Sequence, residues 1–299
     1  MKRFAGIYTP IVTPFQHDDT IDERGLRANI ARWMQSPLTG LVVLGSNGEA
    51  PQLEDAEADR VIAVTRESVP RDRILIAGTG RESTRATIAA TKRAASAGVD
   101  AVIVRTPAFF KPQMTTDVFV RHYTEVAEAS PVPVLLYNVT MFTGVNLAPE
   151  AVARLASHPN IAGMKESGSD IGQIADYVSR TRDTFVVLAG SATTLFHALC
   201  AGCDGAILAL AGLLPAECVR LRTLVAAGRL EEARALQLRL LPLAKAVGGT
   251  YGVPGLKAAL ELMGFAAGPP RPPLRAAGTD VVEKIRAELA TWDFEPQPR

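Results

Sequence analysis

Eight short apolar runs, rich in Val, Ile and Leu, recur along the chain with helical patterns between them. They are Ala5–Tyr8, Gly40–Leu44, Ile74–Ala77, Ala101–Val104, Val132–Tyr137, Ile161–Met164, Phe185–Ala189 and Gly205–Leu208. None shows the in-out alternation of a half-exposed sheet. A strand that is apolar at successive positions has both faces covered, as in a parallel sheet wrapped by helices.

The segments between the runs read as helices. Asp22–Ser36 places Leu26, Ile30, Trp33 and Met34 on one face. Ser83–Ala97 opens on a capping residue and stops at Gly98. Pro149 and Pro215 stand at or just before first helical positions. Eight strands alternating with helices predict an α/β fold, a (β/α)8 TIM barrel. A doubly wound sheet would carry its glycine fingerprint after the first strand, and Gly6-Ile7-Tyr8-Thr9-Pro10 has no GxGxxG. The barrel is expected over residues 1–225 and a C-terminal helical extension over residues 226–299. Within the extension Leu230–Ala246, Val253–Met263 and Asp280–Ala290 read as helices, and Gly268–Pro273 as a stiff proline-rich connection.

Composition narrows the function. At 299 residues and 47% hydrophobic, the chain can bury a core without disulfide help. Lys and Arg number 32 against 31 Asp and Glu, so the basic excess of a nucleic-acid binder is missing. Three cysteines exclude a disulfide scaffold and suit a reducing compartment. No apolar run reaches the length of a membrane span, and the start lacks the apolar core of a secretory signal. A cytoplasmic protein with neither nucleic acid nor membrane as partner is expected.

In a barrel of this kind, chemistry gathers at the carboxyl ends of the strands. Only seven of the basic residues are lysines, and Lys165 is the one that closes an apolar strand. An amine so placed is poorly solvated as a cation, and its neutral form attacks a carbonyl to give a Schiff base. The plain alternative is a structural lysine reaching a carboxylate across the barrel mouth. Tyr137 ends the preceding strand. Consecutive parallel strands are usually neighbours, which would bring a phenol to the amine as a proton carrier. A tyrosine that merely anchors a loop is its alternative. Gly45-Ser46-Asn47-Gly48-Glu49 follows the second strand and offers small residues, a hydroxyl and an amide for binding a carboxylate. The bland reading of this loop is an ordinary turn whose Glu caps the next helix.

Other chemistries lack their residues. The histidines, His17, His122, His158 and His197, are scattered without paired spacing, so no metal site is expected. Cys200-Ala201-Gly202-Cys203 sits at a helix end and has no second pair. The loops after the seventh and eighth strands carry neither Lys nor Arg, which disfavours a phosphorylated substrate.

These residues together resemble the dihydrodipicolinate synthase / N-acetylneuraminate lyase family of pyruvate-handling barrels. The resemblance spans nearly the whole chain. It runs through Gly6–Phe15, the Gly45–Glu49 loop, Thr106-Pro107, Tyr137-Asn138-Val139, Gly163–Ser167 and Leu188–Ser191. Ser46-Asn47, His158–Ile161, Gly252–Lys257 and Gly268–Leu274 look most like 4-hydroxy-2-oxoglutarate aldolase-type members. The resemblance implies a homotetramer acting on a small 2-keto acid and an aldehyde. It implies Lys165 as the imine-forming lysine, with no cofactor beyond that covalent imine, and Tyr137 as the proton carrier. Ser46 and Asn47 would hold the keto-acid carboxylate, and Ser167, Gly190 and Ile207 would line the site.

Three positions depart from the family pattern. Phe142 stands where synthase members carry an arginine, and Phe109 where many relatives carry a tyrosine that reaches a neighbouring subunit. Both would give the distal pocket an apolar wall and bear on specificity. Asn47 replaces a second hydroxyl, so protons must reach Tyr137 through water or the substrate carboxylate. The expected activity is a Schiff-base aldolase or lyase cleaving or forming a 4-hydroxy-2-oxo acid, with pyruvate as the enamine component. Dehydration of a 3-deoxy-2-keto sugar acid and dihydrodipicolinate synthase-type condensation are alternatives through the same imine. A non-catalytic barrel that binds a keto acid is the third.

Overall fold

The computed structural model describes residues 2–292. Met1 and the last seven residues of the expected extension, 293–299, lie outside the described residues. The apolar runs form eight strands, β1 (Ile7–Pro10), β2 (Gly40–Val43), β3 (Ile74–Gly78), β4 (Ala101–Arg105), β5 (Val134–Asn138), β6 (Ile161–Glu166), β7 (Val186–Ala189) and β8 (Gly205–Ile207). They are parallel, pair in sequence order and close into a barrel through β1 and β8.

Helices wrap the barrel: α1 (Glu23–Met34), α2 (Asp55–Ser68), α3 (Thr84–Ser96), α4 (Thr116–Ala129), the single turn α5 (Thr140–Thr143), α6 (Pro149–Leu155), α7 (Ile171–Arg180), α8 (Leu195–Cys200) and α9 (Pro215–Ala226). Asp22, Ser83, Thr115 and Asp170 cap α1, α3, α4 and α7 by accepting a backbone N–H. The chain ends in α10 (Leu230–Lys245), a π-helical turn (Ala246–Thr250), α11 (Gly252–Leu262) and α12 (Thr279–Ala290). Among the described residues no helix is long and apolar enough to cross a membrane.

The continuous apolar character of the strands has a direct cause. Alternate residues serve two different cores. Tyr8, Val42, Ile76, Ile103, Leu135, Tyr137, Leu188 and Ile207 pack together inside the barrel. Their strand neighbours, such as Leu41, Val43, Val134, Leu136, Met164 and Val187, pack outward against the helices. The outer core runs on without a break into Leu236, Leu240, Leu256 and Ile285 of the C-terminal helices.

All eight strands sit within a few residues of the expected runs, and the shifts in β1 and β6 have physical causes. β1 begins at Ile7 instead of Ala5. Gly6 turns the backbone with a φ of +148°, and a Cβ there would lie 2.0 Å from Thr39 Oγ1. The ladder starts only beyond that turn. β6 runs past Met164 through Lys165 and Glu166, because both residues pair with β5. Lys165 is therefore part of the strand and inherits its inward or outward orientation from strand geometry.

Candidate active site

Parity along β6 aims Lys165 into the barrel. Met164 belongs to the outer core, so its neighbour Lys165 points inward. The register of β5 on β6 sets Tyr137 directly beside Lys165 and Leu135 beside Gly163, with an irregularity between Val134 and Leu135. The amine and the phenol consequently meet. Lys165 Nζ donates to the Tyr137 hydroxyl at 3.3 Å, and it lies 4.4 Å from the centre of the ring. Both residues are 6% exposed.

A structural lysine would show a carboxylate partner. Among the described residues the lysines in ion pairs are Lys2, Lys257 and Lys284, and Lys165 is not one of them. The adjacent Glu166 has the opposite parity. It is buried, accepts from Asn138 and the Gly168 N–H, and its carboxyl is raised above the ordinary range by burial, against the pull of those hydrogen bonds.

Tyr137 touches a second hydroxyl, Ser46 Oγ, at 3.3 Å. Burial pushes the phenol's pKa up. The nearby Lys165 charge, with the hydroxyl of Ser46, the amine itself and Ser167 adding to it, outweighs burial and leaves the phenol below its usual value. A phenol so biased gives up its proton more readily than free tyrosine.

Ser46 is held by an unusual loop. Leu44 and Glu49, neither of them glycine, adopt φ of 55° and 56° on either side of Ser46–Gly48. Such conformations persist only when their surroundings enforce them. Thr13 Oγ1 donates to the Gly48 carbonyl at 2.7 Å, and Lys257 Nζ pairs with Glu49 Oε1 at 2.7 Å. The Arg271 N–H donates to Glu49 Oε2 at 2.8 Å. The Glu49 side chain therefore caps no helix. The capping box of α2 is made by Glu54 and Glu57, and Glu49 fastens the loop to the C-terminal extension. The stretch around Arg271 is correspondingly more than a spacer, since the guanidinium is bound by Glu57 and Asp19.

A cavity of about 650 Å³ opens above the lysine. Ser46, Asn47, Tyr137, Lys165, Ser167, Gly190, Ile207 and Phe142 all line it. Gly190 has to lack a side chain, because a Cβ there would stand 2.1 Å from Ser167 Oγ. Phe109 does not line this cavity. It is 79% exposed, and its backbone N–H donates to Glu82. A smaller cavity of about 230 Å³ reaches Ser46 and Tyr137 as well, walled by Arg81, Glu82 and Arg105. It reaches the phenol from the side of β3 and β4, through a lining that also includes Leu44, Leu53 and Ile103.

Sequence reasoning missed the wall contributed from farther along the chain. Thr140, Ser169, Ser191 and Thr193 add hydroxyls, and Lys245, Gly248, Gly249 and Thr250 come from the C-terminal extension. The Gly-Gly-Thr run was a visible signal of irregular backbone, though nothing local tied it to the strand ends. Among the described residues no group of three His, Cys, Asp or Glu could hold a metal. Cys203 is buried, and burial pushes its thiol up to about 12, which disfavours its thiolate.

Comparison with known proteins points to one family. The family model described as the dihydrodipicolinate synthetase family matches residues 3–291. A 4-hydroxy-tetrahydrodipicolinate synthase of Methanospirillum hungatei is 34% identical over 293 residues, 97% of this chain and 100% of the relative. Its counterpart in Methanoculleus marisnigri is 37% identical over 290 residues, 96% of this chain and 98% of the relative. The crystal structure of dihydrodipicolinate synthase from Thermotoga maritima superposes with a TM-score of 0.91 at 35% identity, covering 96% of this chain and 98% of that one.

Proposed function

The chain belongs to the dihydrodipicolinate synthetase family, and from that premise we propose that it makes or breaks the C3–C4 bond of a 4-hydroxy-2-oxo acid, with Lys165 carrying pyruvate as an enamine. Enzymes of this family are lyases that join pyruvate and an aldehyde through a covalent Schiff base on a lysine, without a cofactor. The observation that carries the assignment is the buried contact of 3.3 Å between Lys165 Nζ and the Tyr137 hydroxyl, with no carboxylate paired to the amine among the described residues.

In this reading Lys165 attacks the C2 carbonyl of pyruvate and water leaves, giving a protonated imine. Loss of a proton from C3 gives the enamine, and the imine nitrogen is the electron sink. The enamine carbon attacks the aldehyde, and Tyr137 delivers a proton to the oxygen that becomes the C4 hydroxyl. Water then hydrolyses the imine and frees the lysine. In cleavage the same phenol takes the C4 hydroxyl proton. Ser46 and Asn47 hold the keto-acid carboxylate, while Ser167, Gly190 and Ile207 shape the space around the imine. Phe142 walls the distal side.

Condensation with aspartate semialdehyde is the second reading, favoured by the synthase relatives at 34% and 37% identity. Phe142 stands against it, because synthase members carry an arginine there. A homotetramer belongs to both readings. Phe109, Phe110, Met141 and Phe142 are 79%, 66%, 61% and 59% exposed, an apolar surface that self-association would cover. A cytoplasmic site of action is supported by the three unpaired cysteines.

Incubation with a panel of 2-oxo acids tests the function. Release of pyruvate and an aldehyde from 4-hydroxy-2-oxo acids is expected. A product that retains every carbon would instead mean dehydration. Sodium borohydride with pyruvate should add mass to the peptide holding Lys165, and an unmodified peptide would sink the assignment. Tyr137→Phe should lower kcat by roughly 10²–10⁴-fold while leaving slow covalent trapping intact. Single-turnover measurements separate that loss from a failure to bind.

A further inference from the structure

Part of the cavity wall does not belong to the barrel. α10 packs on the turn that follows β7, and the π-helical turn after it packs on the turn that follows β8. This placement brings Lys245, the last residue of α10, and Thr250 to the cavity lining. Among the described residues that line the cavity, only Lys165 and Lys245 carry charge, and no carboxylate faces them. Lys245 makes no ion pair among the described residues, unlike Lys2, Lys257 and Lys284.

A lysine in the last turn of a helix complements the helix dipole wherever it occurs. That accounts for a cation at position 245, but not for a cavity whose two charges have the same sign. Pyruvate joined to Lys165 occupies only the barrel end of a space of about 650 Å³. The same cavity continues to Lys245 and Thr250 of the extension, which leaves room there for the other half of the substrate. There it meets an ammonium without a protein anion. An acidic group on that half would supply the missing partner, and a neutral one would leave the cation solvated as before. One ammonium suits a carboxylate better than a phosphate, which commonly recruits arginine forks or several N–H donors.

We infer that Lys245 is a specificity-determining residue that binds a carboxylate on the distal half of the substrate, so that the enzyme selects 2-oxo acids with a second acidic end. The inference rests on Lys165 being the imine lysine, and the experiment keeps the two apart. Borohydride trapping on Lys165 is measured against concentration for pyruvate, 2-oxoglutarate and 2-oxopentanoate. The last two share a chain length and differ in the distal carboxylate.

The unsubstituted enzyme should reach half-maximal trapping at roughly 10- to 100-fold lower 2-oxoglutarate than 2-oxopentanoate, the range expected of one charged hydrogen bond. Lys245→Met should erase that preference and leave the pyruvate curve unchanged. Lys245→Arg should retain most of it. The side chain is exposed, so thermal melting should not move for either variant. Equal curves for the two five-carbon acids, with pyruvate still trapped, would overturn the role of Lys245 alone. A preference that survives Lys245→Met would overturn it too. Failure to trap pyruvate at all would remove the Lys165 assignment, and this inference with it.

Discussion

Lys165→Ala is expected to abolish turnover, by roughly 10⁴-fold or more in kcat/KM, and to eliminate covalent trapping with pyruvate. The electron sink in this chemistry is the imine nitrogen, and nothing else near the cavity floor can supply it. Tyr137 and Ser46 bear oxygen only, and Lys245 lies on the C-terminal extension. Alanine also removes the charge that helps hold the Tyr137 phenol below its usual pKa, so Lys165→Arg is the sharper variant. Arginine keeps the positive charge, yet its guanidinium does not shed a proton under these conditions and is no nucleophile. If both variants lose turnover and trapping while melting like the parent, the amine itself is essential. Appreciable turnover by Lys165→Arg would show that the cation acts only electrostatically and would end the Schiff-base mechanism for this site.

The second large effect is on stability, and it comes from a pair far from any substrate atom. Lys257→Met is expected to destabilise the fold by about 3–5 kcal/mol, the usual cost of breaking a buried ion pair from one side. The Lys257 and Glu49 side chains are 2% and 0% exposed and 2.7 Å apart. Lys257 Nζ also donates to the Thr13 and Pro269 carbonyls, each at 2.9 Å. Burial draws the Lys257 pKa down, opposed by the Glu49 charge, so the ammonium depends on that carboxylate. Removing it strands a carboxylate in the interior and frees the loop that carries Ser46. Thermal melting should fall by roughly 5–15 °C, and kcat should fall with it. The double variant Glu49→Gln/Lys257→Met should recover part of the lost stability, since no buried charge then lacks a partner. If Lys257→Met alone melts within a degree or two of the parent, the pair is not holding the loop.

The two residues of that pair show why a local reading stops short. Glu49 sits in a glycine-rich turn before a helix, where a carboxylate normally serves as a cap. Its actual partner is 208 residues later in the chain. No periodicity or spacing links the two. Lys245 illustrates the same limit. Its helix was legible, but its place over the loops after β7 and β8 depends on how the extension folds back. Phe109 is the reverse case, a position singled out by comparison with a sequence pattern and held away from the main cavity in this chain.

By itself the sequence determined the barrel and the place of its lysine at a strand end. Unbroken apolar runs have to be covered on both faces, capping residues and prolines mark the helix limits, and Lys165 follows directly on one such run. These are consequences of backbone geometry and side-chain hydrophobicity over a few neighbouring residues, and they need no knowledge of distant contacts. Only the tertiary structure decided that Tyr137 stands level with that lysine, that a remote ion pair clamps the Ser46 loop, and that a second cation faces the cavity. Each of those depends on strand register and barrel closure, which arise from the packing of the whole chain and from no single stretch of it.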